Sequence, residues 1–422
     1  MAKTIPAKSG ETMQYMVHNY NDNTIRFVLH YPGMLDAETM KTAALAVVSS
    51  VDVLHGSYIP GRICAKWNIH TDISDGTFFR ETRSEDLFET SAELALVPVL
   101  PEGKAQIRVD MVHNDRECCV VFAVSHLVAD GRDSLYLLEK LCQAYELIRK
   151  NGCLSGFSLK NGSRAPEQAY AHLDKKTVRS LMKNPVPAVK TAFPFGSNTP
   201  ALPSAVSRTI SRACMTNARS RAKSMGATAN DLLLAAAYTA LLGTQGVDAS
   251  GGMSIMSMVD LRQNCPGGGK EALLNLSGSM PTVIRPGLQD FADILLNVAA
   301  QTALAKADPL AGLAGLPLLH MLIRRVPNGL LPAAAEKFYG SMSVGLTNLG
   351  NLKCAELALD GQMPDGGWFS GPVKKKPAMQ VSAISFDGTC VLSATGDFTS
   401  KDRTVLADFL DRMAQCIERF GM

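Results

Sequence analysis

Ser125-His126-Leu127-Val128-Ala129-Asp130-Gly131 stands between an unbroken apolar run, Cys119 to Val124, and a segment in which Leu135, Leu138, Cys142 and Tyr145 recur at helical spacing. The apolar run reads as a strand buried on both faces, and Asp133 to Ile148 as an amphipathic helix. The unit is therefore strand, tight turn, helix, with a histidine at the strand end. An imidazole has an unperturbed pKa near 6.5, so at neutral pH it can accept a proton from an O–H or N–H that then attacks a carbonyl. Gly131 lets the backbone turn sharply or approach another segment closely. Asp130 either orients His126 or points away and holds the turn together, and the seven residues leave both open. By composition alone the HxxxDG pattern recurs in on the order of a few per cent of chains this long, so the remaining sequence has to decide.

Working outward, strands are predicted at Thr24 to Tyr31 and Ala105 to Val112, and a helix from Asp36, a suitable N-cap, to Val53. From Asn151 to about Pro203 the chain is rich in Gly, Ser, Asn, Pro and Lys, which suits a segment crossing between two halves. At 422 residues the chain exceeds the usual size of one core. The expected division is an N-terminal half, 1–165, carrying the HxxxDG unit, and a C-terminal half, 166–422, that includes a crossing linker, 166–203. In the second half a short alternating segment at Val206 to Ile210 precedes Asn230 to Leu242, apolar on nearly every face and therefore a buried helix. Strands follow at Met253 to Val259, Ser279 to Ile284, Ser343 to Thr347, Met379 to Phe386 and Cys390 to Thr395, then a helix from Lys401 to Phe420. No repeat of solenoid period is present.

Composition excludes several classes. Hydrophobic residues make up 46% and charged residues 19%, an ordinary folding composition, and a net charge of +3 gives no footprint for nucleic acid. No apolar stretch reaches the ~20 residues of a membrane span. The ten cysteines have no metal-site spacing, and the adjacent Cys118 and Cys119 of a strand point to opposite faces, so reduced thiols and a cytoplasmic setting are expected and no metal is.

Four segments in order carry a resemblance: the HxxxDG unit, Thr228-Ala229-Asn230-Asp231-Leu232-Leu233-Leu234-Ala235-Ala236, Ser257-Met258-Val259-Asp260-Leu261-Arg262, and Val344-Gly345-Leu346-Thr347-Asn348-Leu349-Gly350. Together they resemble the chloramphenicol acetyltransferase-like acyltransferases, which include peptide-synthetase condensation domains, polyketide-associated acyltransferases, wax ester synthases and plant acyltransferases. The resemblance implies two similar α/β halves forming a V-shaped pseudo-dimer around a central tunnel. It places His126 at the middle as general base. It makes Asp130 a structural residue that turns from the tunnel to pair with an arginine of the second half, for which Arg262 is the positional candidate. A monomer suffices for such a tunnel.

The reaction implied is acyl transfer from a thioester, acyl-CoA or a phosphopantetheine arm, to a hydroxyl or amine of a small-molecule acceptor such as a natural-product scaffold. No tightly bound cofactor is expected; an acyl or peptidyl carrier protein is a further candidate partner. Two other readings stay open: a condensation-like or cyclising enzyme on a carrier-tethered chain, and a non-catalytic carrier- or ligand-binding module. Condensation domains usually carry a second histidine where this chain has Ser125, and the plant DFGWG segment has no match in Asp365-Gly366-Gly367-Trp368-Phe369. Ser125, Ser277 and Asn348 are the candidate substrate-binding residues, since a tetrahedral oxyanion needs a preorganised donor, although strand-end structural roles are favoured for Ser277 and Asn348. Gly267-Gly268-Gly269-Lys270 lacks the Ser/Thr of a phosphate loop and reads as a flexible loop. Lys374-Lys375-Lys376 can meet phosphates, but a solvated charge run is the stronger reading. Gly312 to Leu331 reads as an acyl-channel lining or, at least equally, a packed helix pair. A GxSxG elbow is missing, so a serine-hydrolase mechanism has no support.

Overall fold

The computed structural model describes residues 3–182, 189, 191–196, 202–308, 310–328 and 344–422. Along the first half run β1 (Lys3–Pro6), α1 (Ser9–Met16), β2 (Thr24–Tyr31), α2 (Ala37–Ser49), β3 (Gly56–Ile59), β4 (Lys66–Ile69), β5 (Phe79–Arg83), α3 (Leu87–Leu96), β6 (Ile107–His113), β7 (Cys118–Ser125) and α4 (Gly131–Asn151). After α5 (Lys175–Ser180) come β8 (Leu202–Ile210), α6 (Arg212–Ser224), α7 (Ala229–Leu242), β9 (Met253–Asp260), β10 (Ser277–Ile284), α8 (Phe291–Ala307) and α9 (Leu316–Arg325). The chain closes with β11 (Val344–Leu352), β12 (Gly366–Ser370), β13 (Met379–Phe386), β14 (Thr389–Phe398) and α10 (Ser400–Gly421). Ser343, where a strand was expected to begin, and residues 329–331 of the Leu- and Ala-rich segment lie outside the described residues.

β7 is the third strand of a sheet ordered β12-β2-β7-β6-β5, antiparallel to both neighbours and buried along its whole length. Its double-sided burial is why it carries no alternation. Cys118 faces the main core of this half and Cys119 a smaller cluster on the other face. α2 and α4 cover the first face, with Met40, Ala43 and Val47 packed into one core with Leu138, Leu141 and Tyr145. α2 is capped by Asp36, whose carboxylate accepts from Thr39 N at 2.7 Å. It ends at Ser49, short of the predicted Val53, and residues 52–55 form a separate 3-10 turn.

The second sheet is ordered β10-β9-β11-β13-β14-β8, with β11 parallel to β9 and β13. α7, α8 and α10 pack on it, and α7 is buried on nearly all sides, as an all-apolar helix must be; Thr228 and Asp231 close a capping box at its start. Among the described residues no single helix is long and apolar enough to cross a membrane; α6 and α7 pass that test only as a pair bent by 103°.

Two features depart from the expected halves. β1, β4 and β3 form a small third sheet. More consequentially, β12 leaves the second half and pairs antiparallel with β2 at the edge of the first sheet, Gly366 opposite His30 and Ser370 opposite Arg26. Division at residue 165/166 therefore does not separate the sheets: Phe369, Leu357 and Leu359 belong to the first core.

Candidate active site at the seam

β7 ends at Ser125, and the next residue, His126, is tied at once to both halves. Its backbone N–H donates to Asn23 O at 2.7 Å, just ahead of β2. Its ring meets Asn275, on the approach to β10: Nδ1 lies 2.9 Å from Asn275 Oδ1. The amide orientation follows from its other contacts, because Asn275 Nδ2 donates to the backbone oxygens of His126 at 2.6 Å and Leu127 at 2.7 Å. The remaining Oδ1 is then an acceptor, so Nδ1 carries the proton and Nε2 keeps its lone pair. Ser125 and Leu127 on either side are fully buried, whereas His126 keeps part of its surface accessible inside a densely enclosed position. Burial lowers the His126 pKa; Asp130's charge, its own carbonyl and Asn275 oppose this, and the charge of Lys374 adds to the lowering. The net lowering favours the neutral imidazole.

Asp130 points away from His126 and is the N-cap of α4. Its Oδ1 accepts from the N–H groups of Arg132 and Asp133, each at 3.1 Å. The cap starts the helix at Gly131, just over a turn before Leu135, the first residue of the apolar pattern. From the second half Arg262 Nη2 reaches Asp130 Oδ1 at 2.9 Å, and Leu276 N reaches Oδ2 at 2.9 Å. Arg262 also pairs with Asp133 at 2.7 Å and Asp260 at 3.0 Å. Lys160 closes the group on Asp133. Burial works against ionisation of Asp130, yet the charge and hydrogen bond of Arg262 and the flanking N–H groups hold its carboxyl below the usual range. Asp133, buried beside the Asp130 charge, is pushed the other way. This network is a clasp: α4 of the first half is locked to Arg262 and to residues 274–277 of the second, directly beneath the His126–Asn275 contact.

The other sequence candidates fall in different places. Ser125 is wholly buried and its Oγ accepts from Leu127 N at 3.4 Å, so it holds the turn and is not presented to a substrate. Ser277 Oγ donates to Asp130 Oδ2 at 3.4 Å and belongs to the clasp. Asn348 Oδ1 accepts from Gly350 N at 2.9 Å, at an irregularity in β11. Gly131 has an ordinary helical backbone; what it supplies is space, since a Cβ there would stand 3.2 Å from Leu349 Cδ2. In the triglycine, expected to be a flexible loop, all three residues have positive φ; Gly267 is exposed, while Gly269 is buried against Arg262, where a Cβ would lie 3.1 Å from Arg262 Cγ. The lysine run is not a solvated charge run either. Lys375 is exposed, but Lys376 is ion-paired with Asp402 and Lys374 is half-buried.

One residue of the seam escaped the sequence. Asn275 lies in Leu273-Leu274-Asn275-Leu276, where the only signal is an amide within an apolar run. Lys374 was read only as part of a charged run, with a phosphate contact as the weaker alternative. Among the described residues, no group of three or more His, Cys, Asp or Glu side chains is placed to hold a metal ion.

No family model matches the sequence, and neither does any curated protein. Solved structures do match. The first condensation domain of the CDA synthetase aligns with a TM-score of 0.71 over 99% of this chain and 97% of that one, at 15% identity. Trichothecene 15-O-acetyltransferase from Fusarium sporotrichioides gives 0.69 over 98% and 95%, at 13% identity. A mutant starter condensation domain of rhizomide synthetase, in complex with C8-CoA and Leu-SNAC, gives 0.68 over 98% and 94%, at 12% identity. The chain therefore has the two-lobed α/β fold of condensation domains and chloramphenicol acetyltransferase-like acyltransferases.

Proposed function

We propose that the protein is a thioester-dependent acyltransferase in which His126 is the general base and the acceptor is a hydroxyl or an amine. One observation carries the reading: Asn275 holds the proton on Nδ1, so the free lone pair of Nε2 is available at the accessible edge of the ring. In the proposed step Nε2 takes the acceptor's proton as its oxygen or nitrogen bonds to the thioester carbonyl carbon. The tetrahedral intermediate collapses, the C–S bond breaks, and the leaving thiolate recovers that proton from the imidazolium. Asn275 keeps the tautomer and ring plane through both transfers. The clasp of Asp130, Arg262 and Asp133 fixes the position of His126 against Asn275 without touching the reacting atoms. Ser277, bonded to Asp130, is a positioning residue in this scheme, whereas Asn348, bonded to Gly350 N within β11, takes no part in it.

The donor is an acyl-CoA or the phosphopantetheine thioester of an acyl or peptidyl carrier protein, which present the same reacting group; it is a substrate, and no resident cofactor enters the scheme. Support comes from the fold, shared with an O-acetyltransferase and with a mutant condensation domain in complex with C8-CoA and Leu-SNAC. The test is thiol release from acyl-CoA donors, acetyl to long-chain, with pooled alcohols and amines. Acceptor-dependent release that falls at least ~10²-fold in His126→Ala, in a variant that unfolds like the native protein, supports the assignment. An unchanged rate in His126→Ala refutes the base.

A further inference from the structure

Lys374 is the group at the seam that the transfer scheme leaves unused. Its backbone bridges Asn21 on one side and Gly396 of β14 on the other, so it spans from the segment preceding β2 to the second sheet. Its neighbours are bound to the same stretch: Val373 N donates to Asp22 Oδ1 at 2.9 Å and Lys375 N to Tyr20 O at 2.9 Å. That stretch also carries Asn23, whose oxygen receives the His126 N–H at 2.7 Å. Four consecutive residues thus place both Lys374 and His126, and the lysine's charge is felt at the imidazole.

Among the described residues no hydrogen bond or ion pair reaches Lys374 Nζ, while the adjoining Lys376 is neutralised by Asp402. Among the described residues the carboxylate whose charge bears on Lys374 is Asp22. Asp22 is already engaged: it pairs with Arg26 and accepts from Thr24 N and Val373 N. The side chain is half-buried, and that burial pushes the ammonium down to about 8, which still leaves it mostly charged at pH 7. Such a cation beside a base is complementary to an anion that arrives with the substrate.

We propose that Lys374 binds a carboxylate carried by the substrate, on the acceptor or at the far end of the acyl chain, beside His126. The proposal rests on the transfer reading for its division into donor and acceptor, but its test measures binding. With ¹³C-labelled histidine, the His126 resonance is assigned by its loss in His126→Gln. Native protein and Lys374→Met are then titrated at pH 7 with hexanoate and with hexanamide. The expected result is a saturable shift of the His126 signal by hexanoate, with the amide ~10-fold or more weaker, and no preference in Lys374→Met. Equal responses to acid and amide, a preference that survives in Lys374→Met, or no response to either overturns the proposal. Calorimetry with glutaryl-CoA and pentanoyl-CoA separates the two sources. A Lys374-dependent advantage for glutaryl-CoA assigns the carboxylate to the acyl chain, and its absence alongside the hexanoate effect assigns it to the acceptor. Carboxylate binding without thiol release in any assay would count against the transferase reading and leave Lys374's role standing.

Discussion

Removing the Asp130 carboxylate tests the clasp most directly. In Asp130→Ala, α4 loses its N-cap, worth about 1 kcal/mol, and Arg262, 9% exposed at its side chain, loses one of its counter-ions. Breaking a buried pair from one side costs about 3 to 5 kcal/mol. Asp133 at 2.7 Å and Asp260 at 3.0 Å still compensate Arg262, which pulls the ion-pair share toward the lower figure. Against this, Leu276 N and Ser277 Oγ lose an acceptor. The net expectation is a loss of about 3 to 5 kcal/mol, a large part of a typical folding stability. Urea unfolding of native protein, Asp130→Ala, Arg262→Met and the double variant measures it, with the slope checked for constancy. Because the two residues are in contact, the double variant should lose less than the sum of the singles by more than ~1 kcal/mol. Asp130→Ala within ~1 kcal/mol of native, or strict additivity, would refute the clasp as an energetic unit.

Three further outcomes follow from the same geometry. Asn275→Leu removes the group that holds the Nδ1 proton and should lower turnover ~10-fold or more, since misassigning the tautomer forfeits part of the ~10² to 10⁴ that a positioned base supplies; thiol release at saturating acceptor checks it, and a native rate sinks the role. The His126 pKa lies below the usual 6.5, so activity should be retained on acidification until pH falls through that lowered value; Lys374→Met removes a charge that lowers it, and its acid limb should move to higher pH, a shift in the other direction being contrary to the assignment. His320 is buried against Tyr170 with its pKa lowered to about 4, so the stability it contributes is complete above pH 6.5 and is lost as pH falls toward 4, by at most about 3 kcal/mol; His320→Gln should flatten urea midpoints over that window, and an unchanged slope contradicts it.

What the sequence disclosed was local. β7, α7 and α10 were legible because each writes its burial into its own residues, as a continuous apolar run or a helical period. The strand–turn–helix unit was legible for the same reason, and with it the place of His126. Contacts between distant segments were another matter. Asn275 meets His126 across 149 positions, and nothing in its neighbourhood marks it as a partner. Asp130 was left with two roles until the structure put Arg262 and Leu276 N on its oxygens. Ser125 looked available to a substrate because it adjoins the histidine, but its place at the end of a strand buried on both faces encloses it. The lysine run misled for a related reason: three like charges suggest solvent, whereas a segment bridging between the halves gives each lysine a different environment. β12 was invisible because Gly366-Gly367-Trp368-Phe369-Ser370 is short, glycine-led and paired with a strand more than 330 positions earlier.

β12 has a consequence for dissecting the protein. It covers one side of β2, and Gly367, with φ 133°, lies so close that any Cβ would collide with Val28 O. A fragment ending near residue 165 would therefore present β2 as a bare, largely apolar edge, ready to template pairing with other chains. The complementary fragment would carry a detached strand with no sheet to join. Recombinant halves should precipitate when made separately and recover solubility when produced together, which makes the strand a natural basis for a split-protein reporter.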